Sequence, residues 1–143
     1  FSSAASDVYK RQDLGMALVW ISHDLGVVAG LADRVAVMYA GRIVETASVQ
    51  DLYGRPVHPY TRGLISSVPD LRTERLSRLA TIPGGTPDPM ALPPGCAYFP
   101  RCGISDRECE ARIPMMTSIS SSHWIACPPA ANGIEAAEGQ GDE

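Results

Sequence analysis

Lysine is almost missing from this 143-residue chain: Lys10 is the only one among 12 basic residues. It is followed by Arg11, so no glycine-rich phosphate loop ending in Gly-Lys-Ser/Thr is present. No Gly-x-Ser-x-Gly elbow occurs either, which removes the usual strand–turn–helix setting of a hydrolase serine. No apolar run approaches the roughly 18 residues needed to span a bilayer. No charged start leads into a long apolar core, as a secretory signal would require. The formal net charge of −4 gives no electrostatic footprint for nucleic acid.

What is present divides unevenly. Residues 2–12, Ser-Ser-Ala-Ala-Ser-Asp-Val-Tyr-Lys-Arg-Gln, resemble the conceptual translation of a sequencing adapter, and they hold the lone lysine while ten arginines serve the remainder. Residues 1–12 are therefore set aside from fold reasoning, and native sequence is expected to begin at Asp13, within a longer gene.

The organising stretch is Leu18-Val-Trp-Ile21 followed by Ser22-His23-Asp24. An unbroken apolar run of this kind reads as a strand buried on both faces in a parallel sheet. Polar chemistry in open α/β sheets collects at the carboxyl ends of such strands, where His23 would stand. Leu25, Val28, Ala29 and Ala32 then fall at helical spacing. Arg34–Tyr39 and Arg42–Thr46 read as a hairpin about a turn at Ala40-Gly41. Ser48 with Asp51 resembles a capping box for a short helix ending near Gly54 and Pro56.

Pro59 suits the first turn of a second helix through Leu64 and Ile65, with His58 and Tyr60 as packing and helix-start residues. Leu71 to Ala80 reads as a solvated amphipathic turn or two. Six prolines and three glycines between Ile82 and Pro100 exclude regular structure there. Ser105 with Glu108 predicts another short capped helix, through Arg112, and Ser122–Ala126 a last short strand. From Pro128 the chain is small and acidic, and residues 130–143 read as a disordered tail.

The cysteines are spaced Cys96-x5-Cys102-x6-Cys109-x17-Cys127. Without an export signal the default compartment is reducing, which favours a metal site over disulfides. Four thiolates complete a tetrahedral zinc site or hold an iron–sulfur cluster, but the short Cys-x2–4-Cys knuckles of structural zinc are absent. Buried free thiols are the plain alternative. Arg101 could offset thiolate charge. His123 is a candidate substitute ligand, with a structural role beside Trp124 the simpler reading. The expected site is loop-borne and pins the proline-rich segment onto the Cys109 helix.

The order of strand, Ser22-His23-Asp24, helix, Asp33-Arg34-Val35-Ala36-Val37-Met38 and Gly41-Arg42-Ile43-Val44-Glu45 resembles the end of an ABC-transporter nucleotide-binding domain. His58-Pro59-Tyr60-Thr61, Ile82-Pro83-Gly84 and the Gly95–Cys102 segment resemble the carboxy-terminal extension of oligopeptide/dipeptide-type importer ATPases and their nickel-uptake relatives. Together these cover Asp13 to about Pro129.

The resemblance implies an α/β fold. Residues 13–56 would be the C-terminal part of a P-loop ABC ATPase core, with parallel strand, helix and hairpin, and residues 57–129 a small irregular cysteine-containing extension. It implies ATP and Mg as cofactors of the full-length protein, with His23 as the catalytic histidine that meets the γ-phosphate and places the hydrolytic water. The parts that bind phosphate and Mg²⁺, the signature segment and the Asp-Glu strand would lie upstream, leaving this fragment inactive alone. Some family members carry a [4Fe–4S] cluster, so the implied metal ligands are Cys96, Cys102, Cys109 and Cys127, with zinc second.

Implied partners are a second ATPase subunit, homo- or paralogous, two membrane permease subunits and, indirectly, a solute-binding receptor, with no nucleic acid. The implied location is the cytoplasmic face of a bacterial or archaeal inner membrane, peripheral through the permeases. The solute could be an oligopeptide, a dipeptide or nickel. The alternative is a non-enzymatic Cys-rich module binding metal or an iron–sulfur cluster, folding from Val57 to Pro129 alone.

Overall fold

The computed structural model describes residues 15–68 and 81–138. The adapter-like residues 1–12, the Leu71–Ala80 stretch and the last five residues lie outside them. Strand alternation builds the hairpin. In β1, Arg34–Tyr39, residues Val35, Val37 and Tyr39 turn inward while Arg34, Ala36 and Met38 face out. Ala40 and Gly41 both take positive φ, 47° and 78°, which gives a two-residue turn whose twist matches the strands. The chain returns as β2, Arg42–Ser48, paired antiparallel with β1.

The register slips between Val37 and Met38, which pair with Glu45 and Ile43, so Val44 is the extra residue of a bulge. That bulge lets two successive residues, Val44 and Glu45, both be buried. Two short strands complete the sheet, β3 at Thr117–Ser118 and β4 at Trp124–Ile125, in the order β1-β2-β4-β3 with every pair antiparallel.

The helices are short and capped as their sequences require. Asp24 Oδ1 accepts the Val27 N–H at 3.1 Å to start α1, Leu25–Leu31. Ser48 Oγ accepts the Asp51 N–H at 3.0 Å and donates to Asp51 Oδ2 at 2.8 Å, starting α2, Val49–Gly54. His58 caps α3, Pro59–Ser66, with Pro59 in the first turn. A 3-10 turn at Phe99–Arg101 is followed by α4, Arg107–Ala111, and α5, Pro128–Glu138. One core joins Val37, Tyr39, Val44 and Ala47 of the hairpin to Leu52 and Tyr98; a second gathers Val57, Ile125, Cys127 and Ala131. Sheet and core thus run continuously past residue 56, since β4 pairs with β2 and Tyr98 packs on the hairpin.

Four expectations are corrected. Leu18–Ile21 forms no strand: among the described residues nothing pairs with it, and Val19 and Ile21 are 89% and 95% exposed. A strand of this composition needs neighbours on both edges and helices on both faces, and none of the described elements supplies them. The sheet that does form is antiparallel and belongs to the hairpin and the cysteine segment. Helix α4 is capped by Asp106, whose Oδ1 accepts the Cys109 N–H at 2.9 Å, whereas Ser105 Oγ donates to the Cys102 carbonyl at 3.3 Å. The segment after Cys127 is helical to Glu138, because Pro128-Pro129 suit a first turn and the alanines that follow favour helix.

Candidate functional site

The four cysteines come from four places and meet at one small cavity, which all four line together with His58 and Tyr98. Each is fixed by its backbone. Cys96 donates its N–H to the Cys109 carbonyl at 2.7 Å, so a backbone hydrogen bond holds the proline-rich loop to α4. Gly95 makes this approach possible: a Cβ there would collide with the Cys109 carbonyl oxygen and the Glu110 backbone. Cys102 ends the 3-10 turn, donating to the Phe99 carbonyl at 3.2 Å. Cys109 sits in α4 over the Asp106 cap, and the Cys127 carbonyl accepts the Ala131 N–H at 3.0 Å, tying it to α5.

All four are free thiols. Burial pushes the Cys96 and Cys109 thiols up and Cys127 up to about 11, with the neighbouring thiols adding to each rise. An apolar cavity walled by reluctant thiolates lacks a counter-cation, and a bound metal would reverse that balance. As they stand, no three His, Cys, Asp or Glu side chains among the described residues form a group that could hold a metal ion. The thiols share a cavity without closing on a single point.

Arg101 does not serve the thiols. Its Nε donates to the Pro83 carbonyl at 2.7 Å and its terminal nitrogens reach the Ile82 and Gly84 carbonyls and the Tyr39 hydroxyl at 3.2–3.4 Å. The guanidinium carbon stands 5.9 Å from the centre of the Tyr98 ring. This arginine straps the Ile82-Pro83-Gly84 loop onto the tyrosine cluster of Tyr39, Tyr60 and Tyr98.

His123 is not a substitute ligand either: its Nε2 lies 2.7 Å from Glu45 Oε1. Glu45, fully buried, is the hub that sequence reasoning missed. Its Oε1 also accepts the Val57 N–H at 2.8 Å and its Oε2 the His58 N–H at 2.9 Å. A carboxylate on the inner face of a sheet is costly unless its oxygens are filled, and three donors fill them here. They join β2, the start of α3 and the approach to β4 beside the cavity. The bulge conceals this from the sequence, since strand alternation gives no warning that Glu45 and Val44 are both inside.

His23 lies elsewhere. Ser22 Oγ accepts the Asp24 N–H at 3.0 Å and Asp24 caps α1, which leaves His23 exposed between them. Among the described residues no hydrogen bond or core contact joins His23 to the cysteine cavity.

Residues 44–109 match the model of the oligopeptide/dipeptide transporter C-terminal region, so this part of the chain belongs to that family. Its curated relatives are ATP-binding proteins by name. A Brucella abortus protein named as a peptide import ATP-binding protein is 46% identical over 119 residues, 83% of this chain and 35% of its own. A Sinorhizobium fredii protein named as a peptide ABC transporter ATP-binding protein is 50% identical over 117 residues, 82% of this chain and 35% of its own. A Brucella ovis peptide import relative is 44% identical over 122 residues, 82% of this chain and 36% of its own. The chain therefore spans about a third of the length of these relatives.

Proposed function

We propose that this chain is the C-terminal part of the ATP-binding subunit of an ABC importer for peptides. The observation that carries the reading is the similarity over 119 residues to a peptide import ATP-binding protein, together with the family region at 44–109. In the whole subunit, ATP and Mg²⁺ bind to parts upstream of Asp13, and Leu18–Ile21 enters a parallel sheet that covers its exposed side chains. His23, at the end of that strand and held in its turn by the Ser22 and Asp24 bonds, is the residue that reaches the γ-phosphate. A neutral imidazole there accepts one hydrogen bond and donates another, and so aligns the attacking water.

The subunit works as one of a pair beneath two membrane permeases, on the cytoplasmic face. Among the described residues no helix is long and apolar enough to cross a membrane, so membrane attachment would come through those partners. In the full-length subunit, His23→Ala should leave ATP binding intact and lower turnover about 100-fold, within the range for a lost acid–base group. Undiminished turnover would refute the role of His23.

The four cysteines hold an iron–sulfur cluster in the same reading. What supports it is the donor set: four thiols around one cavity, with no carboxylate among the lining residues. A single zinc needs all four sulfurs within about 2.3 Å of one point. A four-iron cubane takes one thiolate per iron, and loading would have to draw the thiols in, because as they stand no three ligating side chains among the described residues group to hold a metal ion. Bound there, such a group would supply redox sensitivity or a covalent clamp between the proline-rich loop, α4 and α5.

A further inference from the structure

Helix α1 has no buried residue and belongs to neither core. Hydrogen bonds near both of its ends tie it to α2. Just past its last turn the Asp33 carbonyl accepts the Val49 N–H at 3.1 Å. At its start the Tyr53 hydroxyl donates to the Leu25 carbonyl at 2.5 Å, across 28 positions of sequence. That distance is at the short end for an O–H donor and a carbonyl acceptor. Tyr53 is itself a fixed point. Its ring packs against the core that joins the hairpin to Leu52 and Tyr98, and Leu52, its neighbour in α2, is almost wholly buried. Asp51 of the same helix accepts Ser48 Oγ at 2.8 Å and Ser122 Oγ at 3.2 Å, which holds α2 to the end of β2 and to the turn before β4. Burial, and then the nearby Asp24 carboxylate, push the Tyr53 hydroxyl above its ordinary value of 10, so it keeps its proton and remains a donor.

The His23 turn inherits its orientation from this helix. Asp24, next to His23, is the cap: its Oδ1 accepts the Val27 N–H, its carbonyl accepts the Val28 N–H at 3.1 Å, and its own N–H donates to Ser22 Oγ. Leu25, whose carbonyl Tyr53 holds, is the next residue. We propose that Tyr53 is a positioning residue for His23: its hydroxyl fixes the first turn of α1 against α2 and so aims the imidazole at the end of the apolar stretch. The inference rests on the catalytic role proposed above for His23. Tyr53 acts from within this chain, through the Leu25 carbonyl and the Asp24 cap, and touches no reacting atom. A displacement of about 1 Å at a reacting group can cost on the order of 100-fold in rate. One hydrogen bond of ordinary net strength accounts for a change of up to about tenfold, which sets the size of the expected effect. The sequence does not announce this link, because a tyrosine in a short capped helix has a sufficient explanation in the core its ring joins.

The test uses the full-length subunit that contains these residues. Wild type, Tyr53→Phe, His23→Ala and the double variant are compared by steady-state ATP hydrolysis, by nucleotide affinity and by amide hydrogen exchange. Tyr53→Phe keeps the ring in the core and removes only the hydroxyl. The expected result is a kcat about tenfold lower, with KM for ATP and nucleotide affinity unchanged. Exchange should quicken at the Val27 and Val28 amides while those of β1 and β2 stay protected. In the His23→Ala background the same change should lower turnover no further, because positioning then has nothing to act on. Wild-type turnover in Tyr53→Phe, or a loss of nucleotide affinity, would overturn the proposal. So would an equal loss with and without His23, which marks a merely structural tyrosine. Undiminished turnover in His23→Ala alone overturns the catalytic reading of His23, and this proposal with it; that result is distinguishable because it arises with Tyr53 intact.

Discussion

Replacing Glu45 removes the acceptor of three buried donors at once. In Glu45→Ala the Val57 N–H, the His58 N–H and His123 Nε2 all lose partners that stand at 2.7–2.9 Å. A hydrogen bond to a charged acceptor contributes about 1.5–3 kcal/mol, and buried donors left unpaired carry their own desolvation cost. Three such losses do not add in full, because the freed segment relaxes; removing one partner of a buried pair costs about 3–5 kcal/mol. The expected loss is therefore about 4 kcal/mol, most of the stability of a small domain.

Glu45→Gln keeps the shape and one oxygen. That oxygen is best placed at the Oε1 position, where two donors meet, which turns the amide NH2 toward the His58 N–H. One donor–donor clash should cost about 2 kcal/mol. Urea unfolding followed by far-UV circular dichroism gives both values. A Glu45→Gln loss below about 0.5 kcal/mol, or an alanine variant no worse than the glutamine one, would refute the hub.

Other expectations follow from single features. Ala40 stands at φ 47°, a conformation costing a residue with a Cβ about 1 kcal/mol, so Ala40→Gly should raise stability by up to about that amount in thermal or urea unfolding. Gly95→Ala should destabilise by about 2 kcal/mol or more in urea unfolding, because its Cβ would push Cys96 away from the Cys109 carbonyl, whereas Gly103→Ala, with open space around it, should be close to neutral. Burial lowers His58 to about 4 in the metal-free fold against an ordinary 6.5. The unfolded chain then binds the proton first, so the His58 contribution is complete above pH 6.5 and is lost as pH falls toward 4, about 3 kcal/mol in all. His58→Asn should flatten that part of the stability profile. With Cys127 up to about 11 and buried, alkylation of the metal-free chain at pH 7.5 should spare it until unfolding.

Local chemistry was legible in the sequence wherever one residue type answers one local need. The Ala40-Gly41 turn, the Ser48 cap and Pro59 in the first turn of α3 are of that kind. The Asp106 cap was misread by one position because Ser105 and Asp106 are both good caps, and the carbonyl of Cys102 takes up Ser105. Leu18–Ile21 reads as strand from its composition, but a strand exists only through its neighbours, and composition cannot supply them. Glu45 gave no signal at all: its partners are two backbone amides and a histidine 78 positions away. The four cysteines line one cavity, which their spacing does not foretell, and His58 beside them gave no sign of it. Its pattern with Pro59 and Tyr60 already had a sufficient explanation as a helix start.

The most direct test is transport itself. The full-length subunit, assembled with its paired ATPase and permeases in liposomes and supplied with receptor-bound labelled peptide, should import the peptide at the expense of ATP. His23→Ala should lower both import and hydrolysis about 100-fold while nucleotide still binds. Peptide import that proceeds unchanged with His23→Ala, or an assembly that hydrolyses no ATP in the presence of loaded receptor, would contradict the assignment of this chain to a peptide importer's ATPase.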